Sequence, residues 1–365
     1  MKVSRPLVAD YIARLVPYVP GKPMEELERE LGISDSIKVA SNENPLGPSP
    51  KAVQAVRAAL KSLNRYPDGN ATLLKEKLAQ KLRVRPEMIV TGNGSNEILE
   101  LAAATFMQPG DHAVISEHAF VVYDLAVESR GLAKTVVAPG KNFGHDLLAM
   151  AKAVTDQTRL IFIANPNNPT GTMAARAEMD ALLESLPEQV IVVLDEAYSE
   201  YVDNPDYPDG VELVKSGARV IATRTFSKIY GLAGLRVGYG VMAQEMAEYM
   251  NRVRQPFNTN SLAQVAAAAA LDDEAFVRRS RDTNRCGLKF LYKEFRRLKI
   301  EYIPSVANFV LLKSPTDAKA LYDRLLRKGV IVRPMGGYRL PQWLRVTVGT
   351  PPENRRFIQA LEELL

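Results

Sequence analysis

The chain has 365 residues, 46% of them hydrophobic and 24% charged, with a formal net charge of +5, a profile that fits a water-exposed protein with room for two lobes. No apolar run approaches the length that crosses a bilayer, residues 1–10 lack the hydrophobic stretch of a signal peptide, and a single cysteine, Cys286, excludes a disulfide framework, so the cytoplasm is the expected compartment. The basic residues are dispersed, which favours small anionic ligands over nucleic acid, and His112, His118 and His145 lack metal-ligand spacing and read as loop or surface residues.

The first forty residues hold Pro6, Pro17, Pro20 and Pro23, a composition for an extended amino-terminal arm, placed at 1–30. Short Val- and Ile-rich runs then alternate with helical patterns: Met88–Val90, Ala113–Ile115, Thr135–Val137, Leu160–Ala164, Val190–Leu194 and Val220–Ala222. Continuous hydrophobicity, as from Val190 to Leu194, implies strands covered on both faces and hence a parallel α/β sheet. Open sheets of this kind bind ligands at the carboxyl ends of their strands. Three polar segments sit there: Asn165 to Gly171, Asp195 to Tyr198 and Thr225 to Lys228. Beyond Asn260 an Ala-rich helix and a long charged helix through Arg278–Arg297 precede Phe309–Leu312, Val330–Val332 and Leu344–Val348, which read as strands of a smaller α+β lobe. The expected division is a large α/β domain at 63–269 and a small domain from 31–62 and 270–365.

Lys228 is the chemical centre of the sequence. Its amine can condense with a carbonyl, while Thr225 and Ser227 before it and Arg236 after it can hold a phosphate some distance away. Pyridoxal 5′-phosphate has both groups. Asp195, ending an apolar strand, can face a pyridine nitrogen and keep it protonated, and Tyr198 and Asn168 can hydrogen-bond the ring oxygen. The backbone N–H groups of Ser95 and Asn96, in Gly92-Asn93-Gly94-Ser95-Asn96-Glu97, open a helix after a strand and can cradle the phosphate. Phe120 can stack on the ring. Each of these has a plainer reading alone: a helix N-cap for Asp195, a core ring for Tyr198 or Phe120, a turn residue for Asn168, a glycine turn with a serine cap at 92–97.

Taken in order, Asn-Pro-x-Asn-Pro-Thr-Gly at 165–171, Asp-Glu-Ala-Tyr at 195–198 and Ser-Lys-x-x-Gly-Leu-Ala-Gly-Leu-Arg at 227–236 resemble the class II aminotransferases of the aspartate aminotransferase fold, over essentially the whole chain. The resemblance implies pyridoxal-phosphate-dependent transferase fold type I, with a mostly parallel seven-stranded sheet in the large domain, Lys228 as the Schiff-base lysine, and a homodimer. Within that superfamily the chain is similar to the histidinol-phosphate aminotransferases through Val16-Pro17-Tyr18, the Ser41–Pro50 segment, Arg65-Tyr66-Pro67-Asp68 and Leu344–Thr350. That branch implies that Tyr66 crosses the dimer interface to the neighbouring cofactor phosphate, that Tyr18 and Asn44 line the substrate pocket, and that Arg333 and Arg345 bind substrate anions. The implied reaction passes an amino group from L-histidinol phosphate to 2-oxoglutarate in ping-pong fashion. Phe120 departs from the tyrosine that many members carry, keeping the stack without the phenol. A broad aromatic amino acid aminotransferase and a threonine-phosphate decarboxylase share the scaffold, whereas a dinucleotide-binding Rossmann protein is disfavoured because no GxGxxG follows the strand.

Overall fold

The computed structural model describes residues 6–18 and 20–365. Its strands, in chain order, are β1 (Ile37–Lys38), β2 (Ile89–Gly92), β3 (His112–Ser116), β4 (Ala133–Val137), β5 (Thr158–Ala164), β6 (Ile191–Asp195), β7 (Val220–Thr225), β8 (Gly238–Val241), β9 (Tyr302–Ile303), β10 (Phe309–Lys313), β11 (Val330–Ile331), β12 (Arg333–Pro334) and β13 (Trp343–Thr347). Seven of them form one sheet in the order β2-β8-β7-β6-β5-β3-β4. β3 pairs in parallel with β4 and β5, and β5, β6 and β7 continue in parallel, whereas β8 runs antiparallel to both β7 and β2.

Period-two geometry gives each central strand two buried faces. On β5, Leu160, Phe162 and Ala164 join one hydrophobic cluster and Ile161 and Ile163 join the other; on β6, Ile191 and Val193 oppose Val192 and Leu194. This is why the continuous apolar runs are strands. β4, at the edge, keeps only Val137 buried. β8 was not among the expected strands, since Gly238-Tyr239-Gly240 lacks the Val- and Ile-rich run that marked the others. The glycines are required by close packing: a Cβ on Gly238 would lie 2.4 Å from the Ser95 nitrogen, and one on Gly240 would lie 2.8 Å from Ile98 Cγ2.

The second sheet is antiparallel, in the order β12-β13-β10-β9, and packs beneath the long helix Glu274–Arg297 and the carboxyl-terminal helix Pro351–Glu362. Asp273 starts the long helix by accepting from the Phe276 N–H at 3.3 Å, and Thr350 and Glu353 form a capping box at the other. β12 and β13 set Arg333 opposite Arg345 in register.

The amino-terminal residues are less extended than their prolines suggest. Met24–Leu31 is a helix, ended by Gly32 in the left-handed region, and it buries Leu27 against Ala40 and Ile331. β1 then pairs in parallel with β11, and helix Pro50–Ala59 packs on the Ala-rich helix Ser261–Ala270. The first five residues of the expected arm fall outside the described residues. No helix among the described residues is long and apolar enough to cross a membrane.

Candidate active site

The carboxyl ends of β5, β6 and β7 open onto one cleft of about 220 Å³, which also receives the start of helix Ser95–Phe106 and residues of the second sheet. Of the residues expected from sequence, Tyr18, Ser95, Asn96, Phe120, Asn168, Asp195, Tyr198, Thr225, Ser227, Lys228, Arg236, Arg333 and Arg345 line it. Asn44 and Tyr66 do not.

At one end the groups are donors. Ser95 and Asn96 occupy the first turn of a twelve-residue helix, whose free N–H groups and dipole favour an anion. Arg236 lies against that turn: a Cβ on Gly94 would come within 2.4 Å of its Nη2, so glycine is what lets the guanidinium approach. Arg236 Nη1 also donates to Ser227 Oγ at 3.4 Å and to the Ala233 carbonyl at 3.2 Å. Thr225, the last residue of β7, accepts from the Ser227 N–H at 3.1 Å and so holds the bend that leads to Lys228.

At the other end sits a carboxylate. Asp195 is buried and accepts from the Tyr123 hydroxyl at 2.8 Å, the Ala197 N–H at 3.2 Å and Thr223 Oγ1 at 3.4 Å. Burial pushes its pKa up, and the hydrogen bonds from Tyr123, Ala197 and Thr223 oppose that shift. Tyr123 was not anticipated, although it lies one turn beyond Phe120 on helix Val121–Glu128.

Between these ends lies Lys228. Its Nζ donates to the Ser41 carbonyl at 3.2 Å and stands 5.5 Å from the Tyr198 ring centre. Burial, followed by the charge of Arg345, pulls its pKa down to about 8. Tyr198 is pushed the other way, to about 12, chiefly by burial, and so keeps its proton at neutral pH.

The orientation of that proton can be followed. The Asn42 backbone N–H donates to Thr347 Oγ1 at 2.9 Å, so the threonine hydroxyl gives its own hydrogen to Asn42 Oδ1 at 3.1 Å. The amide then presents Nδ2 to the Tyr198 oxygen at 2.9 Å. Tyr198 accepts there and keeps its O–H for the cleft. Asn168 is set similarly, since Arg345 Nη1 donates to its carbonyl and leaves its NH2 to donate. Arg345 Nη2 is bound to the Ala40 carbonyl at 2.8 Å. The Arg333 guanidinium lies 5.3 Å from the Tyr18 ring.

Asn44, expected in the pocket, spends its amide elsewhere. Its Nδ2 donates to the Ile229 carbonyl at 2.7 Å and Ser280 Oγ at 2.9 Å, and its Oδ1 accepts from Leu46 N–H at 3.0 Å. Asn42, two residues earlier, takes the place at the cleft. The Ser41–Pro50 segment thus reaches the cleft of the cofactor-free chain through Asn42. Tyr66 is 83% exposed and stacks on Phe257 at 4.9 Å, away from the cleft of its own chain.

The arrangement sets a lysine between a group of N–H, hydroxyl and guanidinium donors and a buried carboxylate, on the strand ends of a mixed seven-stranded sheet. The profile described as Aminotransferase class I and II matches residues 34–361, and the chain belongs to that family. It is similar to the histidinol-phosphate aminotransferase of Moorella thermoacetica, 51% identical over 99% of this chain and 93% of that one. It is 52% identical to histidinol-phosphate aminotransferase 1 of Nitrosococcus oceani, over 98% of this chain and 97% of that one. Among solved structures, histidinol-phosphate aminotransferase from Sinorhizobium meliloti in complex with pyridoxal-5′-phosphate is 27% identical, superposes with a TM-score of 0.90, and covers 100% of both chains.

Proposed function

We propose that this chain transfers the amino group of L-histidinol phosphate to 2-oxoglutarate, giving imidazole acetol phosphate and L-glutamate, with pyridoxal 5′-phosphate as cofactor. The observation that carries the reading is the meeting in one cleft of Lys228, the anion cradle, Asp195, and the registered pair Arg333 and Arg345. The named relatives, about half identical over nearly their whole length, point to the same substrate, and neither the aromatic aminotransferase nor the decarboxylase is favoured beside them.

The donor set fits the cofactor. Ser95, Asn96, Thr225, Ser227 and Arg236 would take its phosphate, Asp195 its ring nitrogen, Tyr198 and Asn168 its ring oxygen, and Phe120 its face. When bound, the group supplies a carbonyl carbon that accepts the amino group and a ring that accepts electrons as the substrate carbon loses its proton. Lys228 tethers it, and once displaced by the substrate amine its Nζ shuttles that proton. An amine pulled down to about 8 has a useful neutral fraction near neutral pH, which both tasks require. Asp195 serves as a carboxylate, so each donor that opposes its burial also helps hold the ring nitrogen protonated. Arg333 and Arg345 bind the phosphate of one substrate and a carboxylate of the other, which lets one site serve both half-reactions. Tyr18 closes the substrate side.

A homodimer is part of this proposal. An exposed Tyr66, with Phe257, Leu63 and Leu73 also exposed, supports a surface that meets a second copy, where the partner's Tyr66 completes the phosphate site. We also propose a cytoplasmic location, in keeping with the lone cysteine.

The test follows the visible absorbance of the cofactor-loaded enzyme while histidinol phosphate, phenylalanine and aspartate are added in turn. Histidinol phosphate should bleach it at the lowest concentration, and 2-oxoglutarate should restore it with formation of glutamate. Strong preference for phenylalanine, or release of carbon dioxide, overturns the reading; so does Lys228→Ala with full turnover.

A further inference from the structure

Beside the arginine pair the cleft wall carries Tyr338, which no motif singled out. It closes the turn Gly336–Tyr338 in the link between β12 and β13, and its ring packs among Ile303, Leu311, Met335, Leu340 and Trp343 with only 9% exposure. Its N–H donates to the Met335 carbonyl at 2.9 Å. Its carbonyl accepts from His118 Nδ1 at 2.8 Å. His118 lies in a loop, as its sequence suggested, but it is buried. Its own carbonyl accepts from Asn167 Nδ2 at 2.8 Å, beside Asn168, and an Arg339–Glu117 ion pair at 3.3 Å joins the same two segments. The turn bearing Tyr338 is thus clasped to the loop bearing Phe120.

The phenol is held without being used. Its hydroxyl makes no hydrogen bond among the described residues, while its ring lines the same cleft as Tyr18, Arg333 and Arg345. Burial raises its pKa, so at neutral pH it has a proton to donate.

We propose that Tyr338 is a specificity-determining residue whose hydroxyl donates to the anionic end of the substrate beside Arg333 and Arg345 and favours phosphate over carboxylate. This rests on the reading above, in which both substrates place an anion at those arginines. A phosphate monoester presents three peripheral oxygens and a carboxylate two. With both guanidinium groups bound, the third peripheral oxygen gives phosphate an outward acceptor that a carboxylate lacks, so the phenol gains more from phosphate. A buried polar group left without its partner discriminates strongly against the ligand that lacks it. His118 acts through Tyr338 and is a positioning residue.

The test compares wild type with Tyr338→Phe as cofactor-loaded enzymes, reading inhibition by inorganic phosphate and by glutarate together with KM for histidinol phosphate and 2-oxoglutarate. Tyr338→Phe should weaken inorganic phosphate inhibition and raise KM for histidinol phosphate about tenfold, at least fivefold more than the change for glutarate and 2-oxoglutarate. His118→Asn, which keeps an N–H donor, should retain the wild-type ratio of phosphate to glutarate inhibition, and His118→Ala should move it toward that of Tyr338→Phe. Equal losses for phosphate and glutarate, or none for phosphate, overturn the proposal. Wild-type enzyme that ignores histidinol phosphate counts against the proposed reaction alone, because the two inhibitors report on Tyr338 with any donor.

Discussion

Replacing Tyr123 by phenylalanine removes one oxygen and little else. The ring is fully buried and stacked on Phe162 at 5.2 Å, so the packing survives, while the hydrogen bond to Asp195 Oδ2 at 2.8 Å is lost. A hydrogen bond to a charged group contributes about 1.5–3 kcal/mol. That loss raises the Asp195 pKa further, above a value that burial has already raised. Only the ionised native carboxylate is penalised; the unfolded chain is not. The deficit is therefore complete above the raised native pKa and fades as pH falls through it. Urea unfolding of the cofactor-free enzyme, at steps from about pH 8 to about pH 5, should show Tyr123→Phe weaker by about 1.5–3 kcal/mol at the alkaline end, with the gap narrowing toward acid. In the loaded enzyme the acid limb of the activity profile should move to higher pH. Equal unfolding midpoints and an unmoved acid limb would refute the assignment of Tyr123 as the donor that keeps Asp195 ionised.

Two further outcomes follow from the same contacts. Glu196 is fully buried, pairs with Arg224 Nε at 2.9 Å and accepts from Tyr207 and Gly210, each at 2.8 Å, so Glu196→Gln should cost about 3–5 kcal/mol in urea unfolding; a loss below about 1 kcal/mol would show that Asp209 alone neutralises Arg224. Asn42→Ala should slow turnover about tenfold by freeing the Tyr198 phenol, whereas Asn44→Ala should lower stability by about 1–3 kcal/mol with donor KM unchanged; steady-state kinetics and thermal melting of both variants check this, and the reverse pattern would restore Asn44 to the pocket.

What could be read from sequence was whatever the chain states locally. β5, β6 and the first half of β7 were legible because burial on both faces leaves little room for polar residues, and the ligand-side segments follow those strands without a break. β8 was hidden because its glycines answer to Ser95 and Ile98, which lie far away in the chain. The helix Met24–Leu31 was hidden by the prolines before it, and its one fully buried side chain, Leu27, packs with Ala40, Leu326 and Ile331, which lie beyond the helix in the chain. Within the cleft, Lys228, Asp195 and Arg236 belong to contiguous motifs. Asn42 meets Tyr198 across 156 residues, and Tyr338 meets His118 across 220, so neither contact leaves a local trace.

The register of β12 and β13 has a consequence for redesign. It fixes Arg333 opposite Arg345 and leaves the connection Met335–Gln342 as an appendix at the mouth of the cleft, apart from the strand ends that bear Lys228 and Asp195. Met335, Tyr338 and Leu340 are buried and Tyr338 holds it to the Phe120 loop, so it is open to exchange at its exposed positions, Gly336, Gly337, Pro341 and Gln342. Its sequence can be varied there to retarget the scaffold toward donors with other anionic ends, while the lysine, the buried carboxylate and the anion cradle stay untouched.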